Sequence, residues 1–577
     1  MTALLLALTL LAPARALPST HPLTTIAEAS GWKKTGRYDE VIRLCRDFVR
    51  AHNNVTCETF GVTPERRPML ALSVGKRGRP TLVVQGGIHA GEIDGKDAGF
   101  LVLRELLDGK LQGVALDKLR IVFVPVFNVD GHERFGAYNR PNQTGPEEMG
   151  WRTTAQNLNL NRDYVKAEAP EMRAMLKLLE REDPVVYMDL HVTDGAQFQH
   201  DVAVLVSPAA GVSDAPPELA AAATALRATL KSELEAEKHL PIVDFYPAFV
   251  KHEDPSGGFA AYVSTPRFGD AYAAARNRLG ILVETHSWKD YATRVRATHD
   301  AIVTVLRALS AHGAEWQKAE HAADAEPLAG KSIVLSWRPD LKKPRTIDFL
   351  GYHYTRSLSP ISTVTRIQYD PSKPEVWHIP FYDVLVPATT VTLPRAGWFV
   401  PRAFADLVAS KLAAHGLVWR DLPAARDLPV DAFRASDVKE RPETFEGRPT
   451  AQVRGGWTRE TRTFAGGGLF IPVAQPHARL AAHLLEPEGP DSLTSWGFFD
   501  AVFEEKEYME DYVLEAVADK MLQDPKIKAE WEQKLKDPAF AKSPHERLDF
   551  FYKKHPSWDA QLGLVPVYRL DQSPPRE

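Results

Sequence analysis

Over the first three hundred or so residues, apolar runs of strand length alternate with helix-length amphipathic segments, and few folds accommodate that alternation. Residues 69–74, 81–85, 119–127, 185–191 and 280–284 are mostly apolar, the texture of strands covered on both faces. Between them, residues 39–52 place Val41, Ile42, Leu44, Cys45, Phe48 and Val49 at helical spacing. Residues 94–107, 170–182 and 217–238 are also expected as helices, with Pro170 suited to a first turn. A last helix follows residue 284 and is expected to run to about residue 311. Strands alternating with helices predict an α/β layer sandwich around a mainly parallel sheet.

Near residues 319–331 the composition shifts to Ala, Glu, Asp and Gly, an expected domain boundary. We therefore expect a catalytic region over 17–318 and an accessory region over 332–577. In the latter, residues 332–337, 346–354, 362–369 and 384–393 read as strands and 404–415 as a helix. Residues 503–534 read as one charged helical stretch, so this half is expected to be β-rich and then helical.

A net charge of −5 over 577 residues leaves no basic excess to neutralise phosphates, which argues against nucleic acid as a partner. Residues 1–16 combine a short apolar core with Ala14-Arg15-Ala16, a small-x-small cleavage pattern, so a signal peptide and a secreted or periplasmic protein are expected. No later run approaches the ~18 apolar residues of a membrane span. Cys45 and Cys57 are the only cysteines, too few for an all-thiolate zinc site. A disulfide and two buried thiols both remain open for them.

The chemistry sits at three strand ends. Gly86-Gly87-Ile88-His89-Ala90-Gly91-Glu92 follows the 81–85 run, and a His and a Glu three residues apart can converge on one metal. His191 closes Asp189-Leu190-His191, and Glu284 closes another apolar run. Carboxyl ends of parallel strands are where open α/β sheets bind ligands. Two histidines and one glutamate leave a fourth zinc position for water, as a hydrolytic site requires.

With these residues in this order, the chain from about 35 to 315 resembles the zinc carboxypeptidase family of the pancreatic type, as a bacterial-like secreted member with a C-terminal extension. The resemblance implies an α/β/α sandwich with a mixed, mainly parallel twisted sheet and one Zn2+ per chain held by His89, Glu92 and His191. It makes Glu284 the general base, and Arg152, in Gly150-Trp151-Arg152, the group that polarises the scissile carbonyl. Asn161 and Arg162, in Asn159-Leu160-Asn161-Arg162, would hold a free C-terminal carboxylate. A gapless reading back from Glu284 places Tyr262 as the mobile substrate-binding tyrosine, with Tyr272 its competitor. The side-chain pocket would fall at Phe268-Gly269-Asp270, near Arg267, Arg276 and Arg278.

The sequence departs from the family at Asn159, where an aspartate would back the first zinc histidine. An amide oxygen still accepts the imidazole N–H but makes the ligand less basic, unless Asp163, Asp189 or Asp194 substitutes. The expected activity is removal of a C-terminal residue from peptides. The alternatives are an amidase or deacylase acting on cell-wall peptides or acylated amino acids, and a non-catalytic binding protein, which should have lost a ligand or the base.

Overall fold

The structure, a computed structural model, describes residues 21–575 apart from 213 and 244, so the expected leader at 1–16 lies outside the described residues. The strands of the first half are β1 (Val55–Val62), β2 (Pro68–Val74), β3 (Thr81–Gln85), β4 (Arg120–Val124), β5 (Val186–Val192), β6 (Val202–Ser207), β7 (Pro241–Ile242), β8 (Phe259–Ala260) and β9 (Leu279–Thr285). All but β8 form one sheet in the order β1-β2-β4-β3-β5-β9-β6-β7. The four central strands β4, β3, β5 and β9 run parallel. On either side β2 and β6 join them antiparallel, so the sheet is mixed and mainly parallel. The apolar runs of the sequence are these central strands and the neighbouring β2; β3 and β5 are buried throughout because helices cover both faces.

Side-chain alternation along β5 assigns the two faces. Leu190 packs against Gly95 in the helix Asp94–Leu107, and that helix packs in turn on the helix Tyr291–Asp324. Asp189 faces the other way, against Gly269 at the start of the helix Gly269–Ala275. His191 shares the face of Asp189, and this parity decides which side of the sheet can carry a site. Cys45 and Cys57 are bonded, with their Cα atoms 5.9 Å apart, tying the helix Tyr38–Ala51 to β1.

Two expected boundaries move. The last helix of the first half does not stop near 311 but continues to Asp324, because Trp316, Glu320 and Ala323 stay buried along it. The single stretch expected over 503–534 is two helices, Asp511–Met521 and Pro525–Lys534. Asp524 caps the second of these by accepting the Lys526 N–H, and Pro525 cannot continue the first.

The second half adds β10 (Ser332–Pro339), β11 (Arg345–Leu358), β12 (Thr365–Tyr382), β13 (Leu385–Thr392), β14 (Gly397–Pro401), β15 (Arg420–Leu422), β16 (Arg426–Glu440), β17 (Ala451–Phe464), β18 (Gly468–Pro472) and β19 (Leu564–Leu570). Long hairpins β11–β12 and β16–β17 dominate it, and β19 returns after the C-terminal helices to lie between β14 and β16. The halves are not insulated. β12 pairs with β8, Phe381 opposite Phe259, and one apolar core contains Leu82 and Met188 together with Leu335 and Trp398.

Candidate metal centre and substrate cleft

Because β3, β5 and β9 run parallel, their carboxyl ends open on one edge of the sheet. The chain leaves β3 through Gly86 and Gly87, the latter at φ +63°, and turns back so that the Glu92 N–H donates to the His89 carbonyl. His191 and Glu284 are register partners on neighbouring strands, so their side chains rise side by side. One ligand atom each from His89, Glu92 and His191 lies within 4.8 Å of the others, and all three residues are buried.

The segment 150–162 closes the site from above. A side chain at Gly150 would come within 2.6 Å of the Ala90 carbonyl, so only glycine lets this loop approach the metal-ligand turn. Asn128 Nδ2 donates to the Arg152 carbonyl and so fixes the loop. Arg152 Nη1 then reaches Glu92 Oε1 at 3.4 Å. Asn159 Oδ1 accepts twice, from the Asn161 backbone N–H at 3.0 Å and from His89 Nε2 at 3.1 Å.

That pair of bonds determines the state of His89. A backbone N–H can only donate, so the Asn159 atom facing it is the oxygen, and His89 Nε2 facing the same oxygen must carry the proton. Burial also pushes the His89 pKa down to about 4, which keeps the ring neutral and leaves Nδ1 as a lone pair. Nδ1 lies 2.9 Å from Glu92 Oε1 yet has no hydrogen-bond partner. Two buried acceptors aimed at one another repel unless a cation lies between them. His191 Nδ1 faces the other oxygen, Glu92 Oε2, also at 2.9 Å. The donor set fits a zinc ion: two imidazoles and a carboxylate, converging and desolvated.

Electrostatics around the carboxylates diverge. Burial alone would raise Glu92, but the adjoining His89 and Arg140 outweigh it and hold its carboxyl well below the usual range. Arg140 Nη2 is 3.0 Å from Glu92 Oε1 and 3.3 Å from Asp194. Glu284 goes the other way: burial, reinforced by Glu92, Asp194 and Asp189 against the opposing pull of His191, pushes it up to about 8. A divalent cation among these groups would draw both carboxyls downward.

The residues singled out from sequence line one cavity of about 480 Å3: His89, Glu92, Arg152, Asn161, Arg162, His191, Tyr262 and Glu284. Arg162 stacks over Phe268 with its guanidinium carbon 4.4 Å from the ring centroid, and Asn161 Oδ1 has no hydrogen-bond partner. Tyr262 is 52 % exposed at the mouth, whereas Tyr272 is buried with its hydroxyl 3.0 Å from His415 Nδ1 and takes no part.

Arg267, Arg276 and Arg278 do not line the cavity and are bound to Asp491, Glu180 and Asp183 respectively. Asp270 turns to accept from Ser207 Oγ. Of that group only Phe268 faces inward, beside Leu205, Leu282, Ala260 and Phe249.

Of the three substitutes considered for the missing aspartate, none replaces Asn159 at His89. Asp163 accepts from Lys166 and Ala169, Asp194 pairs with Arg140, and Asp189 lies 3.2 Å from Nε2 of the other histidine, His191. Asp189 was recognisable, since residues two apart on a strand share a face. Arg140, in a loop with no motif around it, offered no signal. Nor did Glu446, whose carboxylate accepts the Asn159 N–H from 287 positions away at 3.0 Å.

Fold and site together place a candidate metal centre at the carboxyl edge of a mixed α/β sheet. Residues 41–204 match the model of the zinc carboxypeptidase family, so this part of the chain is similar to zinc metallocarboxypeptidases. Carboxypeptidase 2 of Trichophyton tonsurans is 22 % identical over 435 residues, covering 72 % of this chain and 73 % of that protein. Among solved structures, a metallo-carboxypeptidase from Pseudomonas aeruginosa in complex with (2-guanidinoethylmercapto)succinic acid aligns at 18 % identity and a TM-score of 0.35, over 48 % of this chain and 69 % of that one. Carboxypeptidase A from Helicoverpa armigera aligns at 15 % identity and a TM-score of 0.36, over 51 % and 75 %. Among the described residues no helix is long and apolar enough to cross a membrane.

Proposed function

We propose that this protein removes the C-terminal residue from peptides, with one zinc ion held by His89, Glu92 and His191 and with Glu284 as general base. The observation that carries the metal reading is the His89 lone pair, whose direction Asn159 dictates, facing Glu92 Oε1 with no proton between them. Zinc bound there supplies Lewis acidity, which polarises a carbonyl and acidifies water.

The chain's own residues do the rest. Glu284, buried beside His191, accepts the proton of the attacking water and returns it to the leaving amine nitrogen. Arg152, already held toward the metal side of the cavity by Glu92, offers its N–H groups to the oxyanion as charge develops, an effect commonly worth about 3–4 kcal/mol. Arg162, kept flat by the Phe268 ring, presents a planar fork to the terminal carboxylate, and the Asn161 amide binds beside it. Tyr262 covers the mouth.

With the three arginines and Asp270 outside the cavity lining, the side-chain pocket favours an uncharged, apolar terminal residue. The paired cysteines and the expected leader support a protein exported to an oxidising compartment. Digestion of a peptide library read by mass spectrometry tests the function. We expect loss of single C-terminal residues, apolar ones fastest, and no cleavage of C-terminally amidated peptides. Internal cleavage, or hydrolysis confined to N-acyl amino acids, would contradict it.

A further inference from the structure

The hairpin β16–β17 ends at residues 441–450, and its tip touches the loop that carries the cleft's polar groups. Phe445 to Arg448 form a tight turn closed by Phe445 N–H donating to the Arg448 carbonyl and Arg448 N–H donating to the Phe445 carbonyl. Its two central residues, Glu446 and Gly447, both have positive φ, +51° and +77°. Glycine or asparagine suits the first of those positions, and a glutamate held there is a constrained choice.

The turn is anchored to the first half directly and through Trp496 of its own half. Arg448 Nε donates to Glu168 at 3.0 Å, and Phe445 stacks on Trp496 with ring centroids 5.9 Å apart. Trp496 in turn underlies Arg267, which Asp491 holds next to Phe268. Anchored in this way, Glu446 Oε2 accepts the Asn159 backbone N–H at 3.0 Å.

Asn159 is the residue through which the two functions of the cleft meet. Its side-chain oxygen orients His89 and, through the Asn161 N–H, also shapes the turn Leu160–Arg162 that presents Asn161 and Arg162. We propose that Glu446 is a positioning residue for the metal centre: the accessory half sends a carboxylate to the peptide of Asn159, where the side chain itself supplies only an amide. The bond fixes the backbone on which that amide oxygen is mounted. It also returns negative charge close to the His89 N–H, two hydrogen bonds from the metal side of the ring. The proposal rests on the zinc reading above, and it assigns the second half of the chain a direct part in the site.

The test compares Glu446→Ala and Glu446→Gln with the unaltered full-length protein, measuring zinc dissociation constants by chelator competition and KM and kcat at saturating zinc. Partners of ligand histidines commonly carry 10–100-fold in metal affinity, and Glu446 acts one residue further out, so Glu446→Ala is expected to weaken zinc by roughly 3–10-fold and to raise KM more than it lowers kcat. Glu446→Gln keeps an acceptor for the N–H and should recover part of both losses. A Glu446→Ala protein within about twofold of wild type in zinc affinity and KM overturns the proposal alone. An unaltered protein that binds no zinc would instead overturn the metal reading, and the proposal with it.

Discussion

The two halves of this chain divide labour in a way their surfaces make plain. Among the described residues, every group that faces the cavity with ionisable chemistry lies before residue 290; His89, Glu92, His191 and Glu284 stand on or just past the ends of parallel strands, and Arg152 and Arg162 on the loop 150–162. The half beyond Asp324 consists largely of long, part-exposed hairpins, contributes among the described residues only Pro339 to the cavity wall, and reaches the site through the tip of one hairpin. Buried parallel strands place side chains precisely because neighbours on both faces leave them no alternative. Hairpins offer reach, and here they brace loops that a sheet edge alone leaves unsupported.

The sharpest way to break this division is to remove the proposed base. Glu284→Gln preserves shape and is not a ligand in this account, so turnover should fall by roughly 100–10,000-fold while zinc content is unchanged. Retained turnover would remove Glu284 from the chemistry.

The converse change lies in the second half. Trp398 is fully buried, and its indole N–H donates to Glu486, which also binds Arg569. Trp398→Ala should cost about 3–5 kcal/mol by chemical denaturation. Zinc affinity of the folded fraction should not change; a large drop there would show that the metal centre depends on the whole second core rather than on the hairpin tip.

A smaller effect separates the two candidate ligand histidines, one facing an amide and the other a carboxylate. Asp189→Asn should weaken zinc binding by about 10–100-fold, whereas Asn159→Asp should tighten it, both read by chelator competition. Equal responses in the same direction would show that the charge of the outer partner does not matter.

The smallest effect concerns pH. Within the first half Asp201, His239, Asp300, His299 and Glu105 form a chain of hydrogen bonds of 2.7–2.9 Å. Burial opposes the charging of both histidines, but their carboxylate partners outweigh it and raise each to about 9. The folded protein therefore keeps two protons that the unfolded chain releases near pH 6.5. Their stabilisation is complete below that pH and is lost as pH rises through about 9. Denaturant midpoints should fall over that window, and replacing both histidines with glutamine should flatten the decline.

What could be read from the sequence follows the same divide. β3, β5 and β9 announce themselves because burial on both faces makes them continuous apolar runs, and His89, His191 and Glu284 stand where those runs end. β1 escaped notice because it alternates exposed and part-buried residues such as Glu58 and Thr59. β16 and β17 did so because arginines and acids on their open faces interrupt any apolar pattern. Arg140 and Glu446 could not be found by spacing at all, since each meets the site through a contact that only the folded chain creates.

Zinc titration of the metal-stripped protein probes the identity of the three ligands without relying on turnover. Tight binding of one zinc per chain is expected, with affinity lost by orders of magnitude in His191→Ala and in Glu92→Gln, each variant remaining folded by circular dichroism. Undiminished zinc affinity in either variant would contradict it.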